Sequence, residues 1–324
     1  MNILITSAGR RVSLLNFFRE ELLKVFPEGK VFITELDPIT APAAHVADDF
    51  FQVKKVTHTN YIAQLITLCK EKDISLIIPT IDTELPVLAE NYEVFKDAGI
   101  EVVVSDLERI MCFQDKRTTH TFFNEMGIAA PKVYEKDAYK LPIFVKPYNG
   151  SRSINTYKII SEDYLMPYLF KDDTLMFLEY LSSDIYDEYT CDMYYDRSGH
   201  LKCVVPRKRI EIRGGEVSKG KTVKNGLIDF LYKHLGTVEG MRGCVAAQFF
   251  KNKNNGNVIG IEINPRFGGG YPLSHLAGAN YVKWIIDEYL CNRKIEKQLD
   301  NWEDKLLMLR YDDEILVRNH PDHN

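Results

Sequence analysis

Long apolar segments and an excess of positive charge are both missing from this sequence. No apolar run approaches the ~20 residues that an α-helix needs to cross a bilayer. The net charge is −5 and the pI is about 6.0, so the chain has no overall positive field of the kind that attracts nucleic acid. We therefore expect neither a membrane nor a nucleic acid as a partner.

Paired cysteines and a secretion signal are missing as well. The six cysteines are widely scattered and no two form a C-x-x-C pair, so we expect free thiols, as in the reducing cytoplasm. The first six residues, MNILIT, lack the basic region and cleavage site of a signal peptide and have the pattern of a β-strand. We expect a cytoplasmic protein, and the sequence allows a homodimer.

The chain is long enough for two or three domains. Its 324 residues are 45% hydrophobic, and domains commonly have roughly 100–200 residues. The first hundred residues alternate amphipathic helical patterns with four short apolar strands, at Ile3–Thr6, Val31–Thr34, Leu76–Pro79 and Glu101–Val104. This alternation with short connections predicts a right-handed parallel α/β sheet.

The pattern changes after about Asp106. Helical turns lead through Pro131 into strands with the spacing of hairpins, and helices of any length are predicted there only at Ser161–Phe170 and Val223–His234. This α+β texture predicts a domain boundary near residues 105–113. The predicted fold class is therefore α/β followed by α+β.

The segment Cys244–Ala279 is the most informative for chemistry. Two apolar strands flank a polar turn at Lys251–Asn257, which predicts a β-hairpin. Alternation along the second strand places Glu262 and Asn264 on one face. Mg²⁺ prefers such oxygen ligands and is usually held by one or two carboxylates plus substrate phosphates. The pair indicates a metal site, although an exposed strand face with a solvated glutamate has the same pattern.

The same segment resembles a known family. Gln248…Glu262-Ile263-Asn264-Pro265-Arg266 resembles the metal-binding end of the ATP-grasp fold, and most of all the ATP-grasp unit of the carbamoyl-phosphate synthetase large subunit. The other motifs of that fold occur upstream in the expected order, so that the likeness covers about residues 1–290. It implies that Gln248, Glu262 and Asn264 are ligands of Mg²⁺ or Mn²⁺.

The upstream motifs imply an ATP site. Asp115-Lys116 and Phe144–Pro147 resemble the segments that carry the two nucleotide lysines, and Tyr148–Ser153 resembles the loop that covers the phosphates. Glu179–Leu181 resembles the hinge that receives adenine. The strand start at Glu188 resembles the ribose site, for which Asp187 is the alternative. The resemblance implies these residues in nucleotide binding: Lys116, Lys146, Gly150, Ser151, Glu179, Tyr180, Leu181 and Glu188.

The resemblance also implies a domain layout and a reaction. The chain would comprise an N-terminal α/β pre-ATP-grasp domain (1–112), a lid subdomain (113–178), a C-terminal subdomain with the metal site (179–310) and a tail (311–324). The γ-phosphate of ATP would activate a small-molecule carboxylate as an acyl phosphate, and an amine or other nucleophile would displace it, as in a C–N-forming ligase. Lys146, Arg209 and Arg266 are implied as catalytic residues that act electrostatically.

Two segments of the first domain indicate substrate contacts. Both follow predicted parallel strands, at the sheet edge where open α/β sheets bind ligands. In Thr6–Arg11, Gly9 and the arginines, Arg10 among them, could hold an acidic group, whereas Asp82 and Glu84 could hold an amine. Thr6–Arg11 lacks the G-x-G-x-x-G pattern, which argues against a dehydrogenase.

Two other functions stay open. Gly215–Thr222 matches the P-loop pattern, with a predicted strand before it and a helix after it, so a P-loop kinase is one alternative. No apolar strand ending in aspartate follows, as a P-loop enzyme requires for its metal. The other alternative is a nucleotide-binding sensor or scaffold without catalysis, against which the Gln248, Glu262 and Asn264 set argues.

Overall fold

A five-stranded sheet forms the first part of the chain. The structure is a computed structural model that describes residues 1–150 and 154–318. All neighbouring strands of this sheet are parallel, in the order β3-β2-β1-β4-β5, which confirms the predicted α/β architecture. The strands are β1 (Asn2–Thr6), β2 (Val31–Glu35), β3 (Asp49–Gln52), β4 (Ile74–Pro79) and β5 (Glu101–Val102). The sequence did not predict β3, because this edge strand is largely exposed and has no apolar run.

Helices cover both faces of the parallel sheet, namely α1 (Val12–Val25), α2 (Tyr61–Glu71), α3 (Leu85–Glu90) and α4 (Tyr92–Asp97). Leu4 and Ile77 belong to the core cluster that includes α2 and α3, whereas Ile3 and Ile5 belong to the cluster that includes α1. The strand order reverses between β1 and β4. The segments that follow these two strands, 7–11 and 80–84, therefore lie at the switch point, where such sheets bind ligands.

Two helices lead from the parallel sheet to a second sheet. They are α5 (Leu107–Gln114) and α6 (Lys116–Glu125), and Asp115 caps α6 by accepting a hydrogen bond from the Arg117 backbone N–H at 2.8 Å. The second sheet has the order β6-β9-β7-β8 and is antiparallel. Its strands are β6 (Val133–Tyr134), β7 (Ile143–Pro147), β8 (Tyr157–Ile159) and β9 (Leu175–Glu179).

The single helix predicted over Ser161–Phe170 is wrong. The structure has a 3-10 turn at Glu162–Tyr164 and a separate five-residue helix, α7 (Pro167–Lys171). Proline has no backbone N–H and fits the first helical position, so Pro167 begins a new helix instead of continuing the turn.

A six-stranded antiparallel sheet follows, in the order β14-β13-β10-β11-β12-β15. Helix α8 (Leu227–Leu235) shares its core with this sheet, and α9 (Tyr271–Leu276) and α10 (Tyr281–Ile285) follow the last long strand. A π-helical turn at Ile286–Leu290 continues α10. The strands are β10 (Tyr186–Tyr195), β11 (Leu201–Arg213), β12 (Glu216–Thr222), β13 (Gly243–Asn252), β14 (Val258–Asn264) and β15 (Leu307–Leu309).

The P-loop alternative at Gly215–Thr222 is wrong. This segment forms strand β12, which pairs with β11 and β15, so its backbone groups belong to a sheet and do not surround a phosphate. Gly214 and Gly215 have φ angles of 58° and 79° and form the tight turn between β11 and β12. Gly215, the first glycine of the motif, therefore belongs to the turn of a β-hairpin.

One hydrophobic core joins the first and third sheets. It contains Ile3 and Phe18 from the N-terminal part together with Val245 and Tyr281 from the C-terminal part. The three sheets occupy residues 2–102, 133–179 and 186–309. Domain boundaries at residues 112, 178 and 310 stay a prediction. Within the described residues, no helix is both long enough and apolar enough to cross a membrane.

Candidate functional site

One face of the six-stranded sheet carries a row of polar side chains. The strand register pairs Thr190 with Gln248 and Gln248 with Glu262, so these residues share a face, with Asn264 two positions further along β14. Gln248 Nε2 donates a hydrogen bond to Glu262 Oε1 at 2.8 Å, and Asn264 Nδ2 donates to the same oxygen at 3.2 Å. The structure therefore brings the three predicted metal ligands together.

The oxygen atoms of Gln248, Glu262 and Asn264 suit a hard cation that also binds oxygen ligands from outside the protein. Glu262 supplies carboxylate oxygens, and the amides of Gln248 and Asn264 would supply their oxygens if turned over, since the placement of amide oxygen and nitrogen is a matter of assignment. No group of three or more His, Cys, Asp or Glu residues suited to a metal occurs in the described part of the chain. An ion held here would take its remaining ligands from a bound phosphate or water, which is the usual situation of Mg²⁺.

Two buried lysines face this carboxylate. Lys116 and Lys146 are 8% and 7% exposed, and the charge of Glu262 favours the protonated form of both. Burial, together with the positive charge of Lys116, lowers the pKa of Lys146 to about 8. Lys116 Nζ donates to the Gly150 carbonyl oxygen at 2.5 Å. Two desolvated cations beside one carboxylate form an environment that favours a polyanion.

The predicted phosphate loop is described only in part. Gly150 precedes the undescribed residues and offers its carbonyl to Lys116, whereas Ser151 lies outside the described residues. The Lys116 backbone N–H also donates to the Tyr148 carbonyl at 2.8 Å. The start of the loop is thus attached to the N-terminus of α6.

The structure separates the two candidates for ribose binding. Glu188 lies on the face of Gln248, and its Oε1 is 3.0 Å from Arg209 Nη1. Asp187 points to the opposite face, where its Oδ1 is 2.9 Å from Lys208 Nζ. Burial raises the pKa of Glu188, and Arg209 partly offsets this effect. The charge of Lys146 also lowers the pKa of Glu188, so Glu188 and not Asp187 borders the space between the two lysines and Glu262, which we call the cleft.

Arg209 is therefore part of an ion pair on a strand. The family resemblance implies a catalytic role for Arg209, and the structure places it in β11, where its only carboxylate partner within the described residues is Glu188. Its side chain is 9% exposed and its Nε atom is buried without an acceptor among the described residues. A direct role for Arg209 in phosphate transfer stays a prediction.

The predicted hinge connects the second and third sheets. Glu179 ends β9, and its Oε1 accepts a hydrogen bond from the Lys132 backbone N–H at 2.8 Å. Lys158 Nζ lies 4.3 Å from the centre of the Tyr180 ring, and Leu181 is buried. The hinge thus lies between the sheet that carries Lys146 and the sheet that carries Glu262.

The three substrate residues predicted in the first sheet, Arg10, Asp82 and Glu84, lie in different surroundings. Asp82 Oδ2 lies 2.8 Å from Arg266 Nη2, so the end of β4 meets the end of β14. Arg10 is exposed, whereas its neighbour Arg11 is half-buried and donates to the Thr80 carbonyl at 3.0 Å. Glu84 differs from the prediction because it is fully buried and accepts hydrogen bonds from Thr6 and Tyr61. It lies at the start of α3, enclosed between β1 and α2.

Three buried polar groups have surroundings that the sequence did not predict, namely Asp192, Arg207 and His120. Arg207 and Asp192 form a fully buried pair with two hydrogen bonds, of 2.7 and 2.9 Å. Their spacing across a hairpin could have been recognised only with the strand register.

His120 follows Lys116 by one helical turn, which is a signal in the sequence, and neither ring nitrogen has a partner among the described residues. Burial, and then the charges of Lys146 and Lys116, lower the pKa of His120 to about 4.

Two family models match this chain. Residues 3–103 match the model described as PylC-like, N-terminal domain, and residues 171–309 match the model described as ATP-grasp in the biosynthetic pathway with Ter operon. The C-terminal part of this chain is an ATP-grasp domain. No curated protein matches its sequence.

Solved structures share the fold of this chain at low sequence identity. Rhizobium etli pyruvate carboxylase matches with a TM-score of 0.69 and 15% identity over 91% of this chain. The chain spans only 30% of that enzyme's length. The MgADP-bound biotin carboxylase domain of Hydrogenobacter thermophilus 2-oxoglutarate carboxylase matches with a TM-score of 0.67 and 15% identity, over 94% of this chain and 73% of that chain. An L-amino acid ligase from Bacillus licheniformis matches with a TM-score of 0.64 and 16% identity, over 91% and 75%.

Proposed function

We propose that this protein is an ATP-dependent ligase that joins a carboxylate to an amine. The observation that carries the proposal is the convergence of Gln248, Glu262 and Asn264 opposite the buried Lys116 and Lys146. A nucleotide needs cations for its phosphates, and phosphoryl transfer needs a site where the developing charge is stabilised. This arrangement supplies both within one cleft.

The reaction has two steps. In the first, a carboxylate oxygen of the acid attacks the γ-phosphorus of ATP, the bond to the β-phosphate oxygen breaks, and ADP leaves. In the second, the amine attacks the carbonyl carbon of the acyl phosphate, a C–N bond forms, the C–O bond to phosphate breaks, and the amine loses a proton. The protein's contribution is positioning and electrostatic stabilisation, since no covalent enzyme intermediate is required.

Each charged group of the cleft has a role in this scheme. Lys116 and Lys146 would neutralise phosphate oxygens, and Arg266 would stabilise the negative charge of the acyl phosphate. Glu262, with the amide oxygens of Gln248 and Asn264, would hold Mg²⁺ or Mn²⁺. When bound, such an ion would neutralise phosphate charge and polarise the P–O bond.

The comparisons favour this function at the level of the fold. One structural neighbour was solved with MgADP and another is an amino acid ligase. A reaction of the carbamoyl-phosphate synthetase type is a narrower proposal, which rests on the Gln248…Asn264-Pro265-Arg266 resemblance alone. A dimer and a cytoplasmic location are further proposals, since a biotin carboxylase neighbour is a dimer and the thiols of this chain are free.

A nucleotide sensor without catalysis is the second candidate function. Two lysines and a hinge would suffice for binding ATP. The carboxylate and the two amides favour the ligase, because their position opposite the lysines suits a metal bound to the terminal phosphates, where the transfer occurs.

Two measurements test the proposed function. Calorimetry with a non-hydrolysable ATP analogue, with Mg²⁺ or with EDTA, should show binding that the metal strengthens. In an assay with ATP, a carboxylate and hydroxylamine, the enzyme should release phosphate and form a hydroxamate from the acyl phosphate. Glu262→Gln should abolish the second signal and retain the fold, because it removes a charge from a wet cleft and opens no cavity. Metal-independent binding without turnover on any acid would favour the sensor.

A further inference from the structure

Two guanidinium groups meet where the first sheet approaches the six-stranded sheet. Arg11 comes from the turn after β1 and Arg266 from the turn after β14. Arg11 Nη2 donates to the Thr80 carbonyl at 3.0 Å, and Arg266 Nη2 is 2.8 Å from Asp82 Oδ2. Thr80 and Asp82 both belong to the turn after β4. One short turn therefore holds both arginines in place.

The positive charge of this pair is only partly compensated. Among the described residues, no carboxylate lies within ion-pair distance of Arg11, and the buried Arg266 Nε has no acceptor. Burial, and then the charge of Arg266, lower the pKa of Arg11 to about 10. Two neighbouring, half-buried cations with unused donors are stabilised by an anion that bridges them, and guanidinium groups bind carboxylates through paired hydrogen bonds.

Negative charge flanks the arginine pair. Asp82 contacts Arg266, and Glu216 of β12 lies 2.9 Å from Arg310. Burial raises the pKa of Glu216, but the hydrogen bond and charge of Arg310, followed by the charge of Arg11, lower it overall. Glu216 is thus an ionised carboxylate within the field of Arg11. The junction between the first sheet and the six-stranded sheet therefore holds both cationic and anionic groups.

The Glu216 side is held by close packing. A Cβ atom at Gly269 would lie 2.8 Å from Glu216 Oε1, and one at Gly270 would lie 2.1 Å from Arg207 Nη1. Residues 268–270 directly follow Arg266-Phe267 in the sequence. The turn that carries Arg266 therefore lies against Glu216, which fixes the distance between the cationic and anionic sides of the junction.

We propose that Arg11 and Arg266 bind the carboxylate that is to be phosphorylated, that Asp82 and Glu216 receive an ammonium group, and that the acid substrate is therefore an α-amino acid. The inference rests on the proposed function and names its substrate class. Arg266 is two residues from Asn264, so a carboxylate held by the arginine pair lies at the metal end of the cleft. An α-amino acid has its two opposite charges close together, which matches neighbouring cationic and anionic groups.

The first test compares pairs of acids that differ only in the amino group. We would measure hydroxamate formation with ATP, Mg²⁺ and hydroxylamine for alanine against propionate, leucine against 4-methylpentanoate and glutamate against glutarate. We expect hydroxamate from at least one amino acid and at least about tenfold less from its des-amino partner, because the loss of one charged contact costs roughly tenfold or more in recognition. Equal rates within every active pair would overturn the ammonium assignment.

The second test uses Arg11→Gln with Arg19→Gln as the matched control. Arg11 immediately precedes α1, whereas Arg19 lies about two helical turns further along α1 and contacts Asp48 and the Val46 carbonyl. Arg11→Gln should raise the KM for the amino acid about tenfold or more and leave the Kd of the ATP analogue within about twofold, whereas Arg19→Gln should change neither. Arg11→Lys, which keeps the charge, should recover part of the loss. An unchanged KM in folded Arg11→Gln would overturn the carboxylate assignment.

The outcomes separate this inference from the proposed function. If the analogue binds with Mg²⁺ but no amino acid yields a hydroxamate while a des-amino acid does, the ligase stands and the substrate class is overturned. If no acid of either kind reacts, the substrate class is overturned as well. If the analogue itself does not bind, the proposed function fails, and the substrate inference fails with it.

Discussion

Lys146 shows how a single buried charge links the fold to binding. It lies on β7 with 7% of its surface exposed, and its ammonium group is compensated by Glu262 and Glu188 and opposed by Lys116. Burial of a charge without full compensation is costly. A bound polyanion would therefore stabilise the charged form of Lys146. Lys221, by contrast, lies in β12 opposite Lys208, on the other face from Arg207.

Alanine substitutions at these two lysines should therefore differ. We expect Lys146→Ala to weaken binding of an ATP analogue by ~1.5–3 kcal/mol, or roughly tenfold to a hundredfold, because a desolvated ion pair with phosphate is lost. Lys221→Ala should leave the affinity within about twofold. Both variants would be titrated at fixed Mg²⁺ and matched salt, because exposed charges are screened. A large loss in Lys221→Ala beside an unchanged Lys146→Ala would contradict the assignment.

The lowered pKa of Lys146 predicts a pH dependence of binding. Above pH 8 the free protein increasingly holds Lys146 neutral, whereas phosphate favours the charged form, so binding should take up a proton and weaken as the pH rises from about 8 to 9.5. Calorimetry in two buffers of different ionisation enthalpy measures this uptake. Lys146→Arg stays charged and should show a flatter profile. Equal proton uptake in both proteins would exclude Lys146 as the source.

At the scale of elements, a buried ion pair joins two strands and a helix. Arg207 of β11 donates two hydrogen bonds to Asp192 of β10, and Ser274 of α9 donates to Asp192 Oδ2 at 2.5 Å. Both charged residues are almost completely buried. Removing one member would leave the other charge without compensation, which costs more than the pair itself contributes.

Arg207→Met should accordingly destabilise the fold much more than the same change at an exposed site of the same strand. We expect Arg207→Met to lower the free energy of unfolding by about 3–5 kcal/mol. Arg213→Met should cost less than about 1 kcal/mol, since Arg213 is 62% exposed and pairs with an exposed Asp312. Urea unfolding gives both values. The double variant Arg207→Met/Asp192→Leu should recover most of the loss, and a failure to do so would argue against an uncompensated charge as the cause.

At the scale of the whole molecule, the first and third sheets depend on each other. Phe18 of α1 packs against Phe267 with ring centres 5.9 Å apart, and the Phe17 ring stacks on His275 at 3.8 Å. Asn280 Nδ2 also donates to Glu21 Oε1 at 2.8 Å. One face of α1 is therefore buried by residues more than 240 positions away in the sequence.

This shared core predicts how fragments behave. A fragment of residues 1–112 would expose the face of α1 that now packs on the C-terminal part, and we expect it to aggregate or to lack a cooperative thermal transition. The full chain should unfold in a single transition by circular dichroism and by tryptophan fluorescence, since both tryptophans lie in the C-terminal part. A monomeric fragment with its own sharp transition would contradict this dependence.

The sequence by itself determined the features that depend on local geometry and motif order. Successive side chains of a strand alternate whatever the strand pairs with, so Glu262 and Asn264 had to share a face. Apolar runs separated by amphipathic helical patterns sufficed for the parallel sheet. The motifs around Lys116 and Lys146 predicted both as nucleotide lysines, and the structure places both near the charge of Glu262.

Only the tertiary structure decided which polar groups face the cleft. Glu84 and Asp82 are two residues apart, yet Thr6 and Tyr61 enclose the first, whereas the second reaches Arg266. The P-loop pattern became a strand because β11 and β15 pair with it. In each case the burial and partners of a residue come from elements far away in the sequence, and a local pattern carries no information about them.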